Sequence, residues 1–96
     1  MYMKLDNYIV DWNKEKNDWL KKNRKISFET IEIKLLEKDI IDIIPNESKK
    51  YKHQFLLVVE IEEYIYIVPF VIDGKVKGIF LKTIIPSRKY TKKYLK

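Results

Sequence analysis

Cysteine is missing from this 96-residue chain. That excludes disulfides, thiolate metal sites and thiol nucleophiles, and it fits a reducing, cytoplasmic setting. Glycine is nearly missing as well: Gly74 and Gly78 are the only two. Neither sits in a glycine-rich phosphate loop, which excludes dinucleotide and nucleoside-triphosphate enzymes of the familiar kinds. Long apolar runs are lacking. The longest, Tyr64 to Ile72, is interrupted by Pro69, whereas a membrane-spanning helix needs about 20 residues. Met1 to Asp6 has no apolar core of the kind a signal peptide carries. There are no repeats and no low-complexity blocks. Histidine occurs once, at His53. The acids form no metal cluster: Asp11, Glu15 and Asp18 fall on a helix surface, and Glu60, Glu62 and Glu63 gather at a turn. No metal and no cofactor are therefore expected. Arginine is scarce too, with Arg24 and Arg88 set against a large lysine excess. Lysine and isoleucine excess of this kind partly reflects genome composition, so the two arginines carry more functional weight than any single lysine.

What the chain does have is charge in one place. It holds 14 acidic residues, the last of them Asp73, and 20 basic ones. Six of the basic residues (Lys82, Arg88, Lys89, Lys92, Lys93 and Lys96) follow Leu81. Residues 1–81 thus balance at 14 basic against 14 acidic, and the formal +6 belongs to the C-terminal stretch. A compact positive cluster suits a polyanion, with RNA or DNA the first candidate. The plainer alternative is a solvated, frayed lysine tail.

With 46% hydrophobic and 35% charged residues, the chain reads as one globular domain over residues 1–96. Tyr8-Ile9-Val10 predicts a short strand. Asp11 or Asn13 is placed to cap a helix from about Lys14 to Asn23. In that helix Trp12, Trp19 and Leu20 take the spacing of a buried face, and Lys14, Lys21 and Lys22 lie outside. Arg24-Lys25 forms a link, and Ser27 caps a second helix from Phe28 to about Lys38, with Phe28, Ile31 and Leu35 at core spacing. Four strands follow: Ile40–Ile44, Gln54–Glu62, Tyr64–Ile72 and Ile79–Ile85. Glu62-Glu63 lacks the Gly or Asn that a two-residue hairpin favours, so a longer or bulged turn is expected there. The short gaps leave no room for parallel crossovers among these four. Ser87 is placed to cap a short terminal helix. The expected fold is α+β: an N-terminal short strand and two helices packed on a four-stranded antiparallel sheet, then a short C-terminal helix.

Several short motifs resemble the BrnT family in order and spacing. These are Trp12-Asn13-x-x-Lys16-Asn17, the helix opening Ser27-Phe28, and Ile84-Ile85-x-x-Arg88-Lys89 leading into the basic terminal helix. The likeness runs from about Tyr8 to Leu95. Family members usually carry an acid where Asn13 stands, His-Gly where Arg24-Lys25 stands, and often Glu where Tyr94 stands. BrnT proteins are small toxins of bacterial type II toxin–antitoxin pairs with a fold like the RelE ribonucleases. The resemblance implies a ribonuclease toxin that cleaves mRNA and inhibits translation. It also implies a DNA-binding cognate antitoxin whose acidic segment neutralises the toxin, with homo-oligomers formed only through that antitoxin.

Metal-independent RNA cleavage needs a group to take the 2′ proton, a group to protonate the leaving 5′ oxygen, and positive charge on the phosphorane. Arg88 suits the last task, because its planar fork grips two phosphate oxygens and stays charged. Arg24 is placed to add a second fork. Lys82 sits on a strand, not on a flexible end, and is the candidate base. Lys89 joins this candidate catalytic group. Candidate RNA-binding residues are Lys92, Lys93, Tyr90, Lys21 and His53. Tyr90 and Tyr94 are able to stack on bases or donate a proton, and Tyr94 is expected to pack. His53 offers an imidazole, the side chain best suited to general acid–base work, although a lone loop histidine is more often plain surface. Trp12 and Trp19 are expected in the core. Two readings compete with the nuclease: a non-catalytic RNA- or DNA-binding module, and a small protein-interaction domain.

Overall fold

The computed structural model describes residues 7–95. In chain order it contains β1 (Ile9–Trp12), α1 (Lys14–Arg24), α2 (Phe28–Leu36) and β2 (Asp42–Pro45), then a 3-10 turn at Lys49–Tyr51. β3 (Phe55–Ile61), β4 (Tyr64–Asp73), β5 (Gly78–Leu81), β6 (Ile85–Pro86) and α3 (Arg88–Tyr94) follow. No helix among the described residues is long and apolar enough to cross a membrane.

The helix starts are set by side chains that accept orphan backbone N–H groups. Asn13 Oδ1 accepts from the Lys16 amide at 2.8 Å, and Ser27 Oγ from the Thr30 amide at 3.3 Å. α1 ends at Lys25, which takes the left-handed conformation at φ 55° and donates its N–H to the Leu20 carbonyl. The corner between α1 and α2 is tied by Asn17, which is buried. Its Oδ1 accepts from the Phe28 amide at 2.8 Å, and its Nδ2 donates to Glu29 Oε1 at 2.8 Å. One buried amide thus closes the start of α2 from a neighbouring helix and leaves neither of its own polar atoms unpaired.

The expected antiparallel meander is present as β2-β3-β4-β5, but the sheet is larger than four strands and mixed. Its order is β1-β5-β4-β3-β2, with β6 also paired to β4. β1 lies parallel to β5, Ile9 opposite Gly78 and Trp12 opposite Leu81. The helices and the other strands between them supply the long crossover that parallel pairing requires, a condition that gaps between consecutive strands do not reveal.

The last strand is also not one run from Ile79 to Ile85. β4 meets β5 with Phe70 opposite Leu81, and meets β6 with Ile67 opposite Ile85. The Lys82 amide still donates to the Pro69 carbonyl at 2.8 Å. Thr83 and Ile84 therefore stand together opposite the single Val68, which makes a β-bulge. Pro69 has no N–H to return to Lys82, and the ladder breaks where that donor is missing. The extra residue inverts the alternation: Ile79 and Leu81 face the core before the bulge, and Ile84 faces it after.

α1 and α2 cover one face of this sheet. Leu20, Phe28 and Ile31 pack over Leu57, Val59, Val68, Phe70, Leu81 and Ile84. Trp12 joins from the end of β1, its ring stacked on Phe28 with centroids 5.7 Å apart. Trp19 does not join: it is 43% exposed, against the expectation of a core position. The buried positions of α1 are Asn17 and Leu20, and at 3.6 residues per turn the residue just before Leu20 is turned about 100° away from that face. The opposite face of the sheet buries Leu56, Val58 and Ile65.

The hairpin between β3 and β4 is tighter than expected. Ile61 pairs directly with Tyr64, so Glu62 and Glu63 are the whole turn, at φ 51° and 63°. These angles fit a type I′ turn, which follows the twist of the strands and places both central residues at positive φ whichever residues occupy them. Two glutamates there carry backbone strain of about 1–2 kcal/mol each. Replacing them as Glu62→Asn with Glu63→Gly is expected to raise the unfolding free energy by about 1–2 kcal/mol in all, read as a higher urea midpoint at unchanged m-value. The Glu62→Gln, Glu63→Gln variant controls for charge and should show no comparable gain.

Candidate nucleic-acid interface

α3 is held on the sheet by an exchange of partners at the end of β6. The Ser87 amide donates to the Ile65 carbonyl at 2.9 Å, continuing the β4–β6 ladder by one residue. Ser87 then leaves the ladder to cap α3, its Oγ accepting from the Tyr90 amide at 3.1 Å. The Ile65 amide would otherwise be left without an acceptor. Thr91 Oγ1 supplies one at 2.9 Å, and the same hydroxyl donates to the Ser87 carbonyl at 2.7 Å. A threonine on the second turn of the helix thus stands in for a strand carbonyl, so the terminal segment is an ordered element and not a frayed tail.

This element carries cations only. Arg88 and Lys89 open α3, and Lys92 and Lys93 lie in its last turn. Lys96 lies outside the described residues. Positive charge in a first helical turn opposes the helix dipole, so Arg88 and Lys89 do not serve the stability of α3. Arg88 is exposed and makes no hydrogen bond, ion pair or ring contact among the described residues. Lys89 lies 5.3 Å from the centre of the Tyr90 ring, and Lys93 reaches both Tyr90 and Tyr94, at 6.0 and 5.4 Å. The two tyrosine rings are stacked with centroids 6.2 Å apart. Both line a groove between α3 and β2 that also includes Asp42, Ile44 and Leu56. Tyr94 is half-buried, in line with the packing role expected of it.

The remaining candidates are distributed unevenly. By the alternation of the ladder, the Ile84 carbonyl points away from β4 toward the open edge of β6. Arg24 reaches across from the end of α1 and donates Nη1 to it at 2.5 Å. Lys82 stands at the start of the bulge, exposed, its ammonium 5.1 Å from the centre of the Phe80 ring. Lys82, the Ile84 carbonyl that Arg24 reaches, and Arg88 thus follow one another in the chain, with Lys82 beside Phe80 on the face opposite α1 and α2. No hydrogen bond or ion pair joins Arg88, Lys82, Arg24 or Lys89 to another of the four. Lys21 is not free: its Nζ lies 3.6 Å from Glu29 Oε2. His53 is exposed in the loop between β2 and β3, on a separate segment of the chain, and contacts no partner among the described residues. No group of His, Asp or Glu among the described residues could hold a metal ion.

Three residues that matter here were not singled out by the sequence for these roles: Asn17, Thr91 and an outward-facing Trp19. Asn17 had a signal, since it stands three residues before Leu20 on the buried face. Thr91 had none, because its partners belong to β4 and β6. No family model matches the chain, and neither a curated protein nor a solved structure matches it.

The hydrogen bond from Asn17 holds the Glu29 carboxyl below the ordinary 4.5, helped by its own backbone amide and by Lys21, with burial opposing. A depressed folded value means stabilisation that is present above 4.5 and lost as pH falls through the lowered value. The gap in melting temperature between the native chain and Glu29→Gln should therefore close as pH drops below 4.5. Thr91→Val should loosen α3 by about 1–2 kcal/mol through the orphaned Ile65 amide. The readout is faster hydrogen exchange at that amide, with Thr91→Ser restoring protection.

Proposed function

We propose that this chain is a metal-independent ribonuclease toxin of the BrnT kind, acting on mRNA in the cytoplasm. A cognate antitoxin would neutralise it by laying an acidic segment over α3. What supports the reading is the bulged last strand, which bears or receives three cations in succession. It runs from Lys82, past the Arg24 guanidinium on the Ile84 carbonyl, to the unpartnered Arg88 at the head of α3. An RNA backbone laid along that edge would bring a phosphodiester to Arg88. The 2′ oxygen attacks phosphorus and gives up its proton, the bond to the 5′ oxygen breaks, and that oxygen takes a proton. The products are a 2′,3′-cyclic phosphate and a 5′ hydroxyl, with no metal and no covalent enzyme intermediate. Arg88 and Arg24 stabilise the charge of the phosphorane. Proton transfer falls to Lys82 and Lys89, whose geometry tightens on the bound RNA. Arg24 spends one N–H on the Ile84 carbonyl and keeps others for phosphate.

Purified chain incubated with single-stranded RNA in excess chelator should yield cyclic-phosphate ends. Arg88→Ala should slow the reaction by about 10²–10³-fold, the usual loss for one charge-stabilising donor. Expression of the chain alone should arrest bacterial growth. Whole RNA after prolonged incubation, with binding intact, would sink the nuclease reading and leave a second one: a non-catalytic RNA- or DNA-binding module. The lack of any bonded acid–base pair beside Arg88 favours that alternative. Under it, affinity falls steeply with salt while the nucleic acid stays whole.

A further inference from the structure

Trp19 is large, apolar and 43% exposed on α1, where nothing in the fold requires it. It is not left bare. Lys16 Nζ lies 4.4 Å from the ring centre and the Arg24 guanidinium carbon 5.1 Å from it. Both cations lie over the ring, and an exposed indole capped by flexible cations suits single-stranded nucleic acid held without reading its sequence: a base takes the ring face and the displaced cations turn to its phosphates. Position adds a second argument. The same Arg24 donates to the Ile84 carbonyl on the outer edge of β6. Ile84 precedes Arg88 by four residues, so their Cα atoms are separated by at most about 14 Å. Trp19 is therefore joined through one guanidinium to the strand that delivers Arg88.

We propose that Trp19, with Lys16 and Arg24, is a base-stacking platform that binds single-stranded RNA to one side of the cleavage position. This rests on the ribonuclease reading and adds an adjoining subsite that shares Arg24 with the cleavage position. A nucleotide neighbouring the scissile one stacks on the indole, Lys16 holds its outer phosphate, and Arg24 stays with the scissile one. Trp19 acts by positioning, because it touches the substrate away from the reacting atoms. Any base has a π face, so the platform tolerates sequence.

The test uses the tryptophan itself. Trp12 is half-buried against Phe28, so a single-stranded RNA oligonucleotide should quench chiefly Trp19, and Trp19→Phe should abolish most of the response. Inorganic polyphosphate offers the charge without bases and should bind without comparable quenching. Trp19→Ala should weaken RNA binding roughly 5- to 100-fold with the salt slope unchanged, while Lys16→Gln should lower that slope by about 1. In cleavage, Trp19→Ala should raise KM and leave kcat near its native value. Equal quenching by polyphosphate, or unchanged affinity in Trp19→Ala while cleavage continues, overturns the platform and spares the nuclease. An indole that responds to poly-L-glutamate and not to RNA marks a protein-binding surface and likewise overturns it. Failure of the native chain to bind RNA at all removes both proposals together.

Discussion

Pro69 has no amide hydrogen to offer the last strand, and much of this molecule is arranged around that gap. β4 accepts from Lys82 but cannot donate back, and pairing resumes only at Ile85, with one extra residue on the outer strand. The shift turns Ile84 into the core and points its carbonyl at the open edge, where Arg24 takes it. It also sets the phase in which Ser87 reaches the Ile65 carbonyl and then starts a helix. Pro86 falls at an outward-facing position, where a missing N–H costs the ladder nothing. Without the bulge, the side chains beyond Leu81 would alternate the other way and α3 would leave the sheet from the wrong face.

The cations stand on this frame and gain little from it. Arg88 has no partner among the described residues, and first-turn positive charge works against α3. What stabilises α3 is elsewhere: the Thr91 hydroxyl between Ile65 and Ser87, and the tyrosines along the groove toward β2. Anchoring and charge are thus carried by different residues on the same short helix. A ligand can engage the charged side without competing for the contacts that hold the helix in place. Lys21 is the contrasting case: its ion pair with Glu29 draws it into the corner closed by Asn17.

Features governed by neighbours in sequence were legible. Asn13, Ser27 and Ser87 cap their helices as their residue types predict, because a cap acts over three residues of chain. Phe28 and Ile31 are buried at the spacing expected of them. The α+β class and the concentration of charge in the terminal stretch also followed from pattern and count. Trp19 departs from its expected core position because the buried arc of α1 is narrow and centred on Asn17 and Leu20.

Other features depended on residues distant in the chain. β1 entered the sheet parallel to β5 because the intervening helices return the chain to that edge. The glutamates of the β3–β4 turn took left-handed backbone because the pairing of Ile61 with Tyr64 allowed nothing longer. The position of Arg24 on the Ile84 carbonyl, sixty residues away in sequence, became definite only once the sheet had formed. Local chemistry in the sequence determined which segments became helices, where they began, and that the positive charge would gather at one end. The meander order of β2 to β5 followed from their short connections. Tertiary structure alone decided the parallel place of β1, the phase of the last strand, and which side chains share its edge, because those depend on hydrogen-bond register between segments that no local pattern connects.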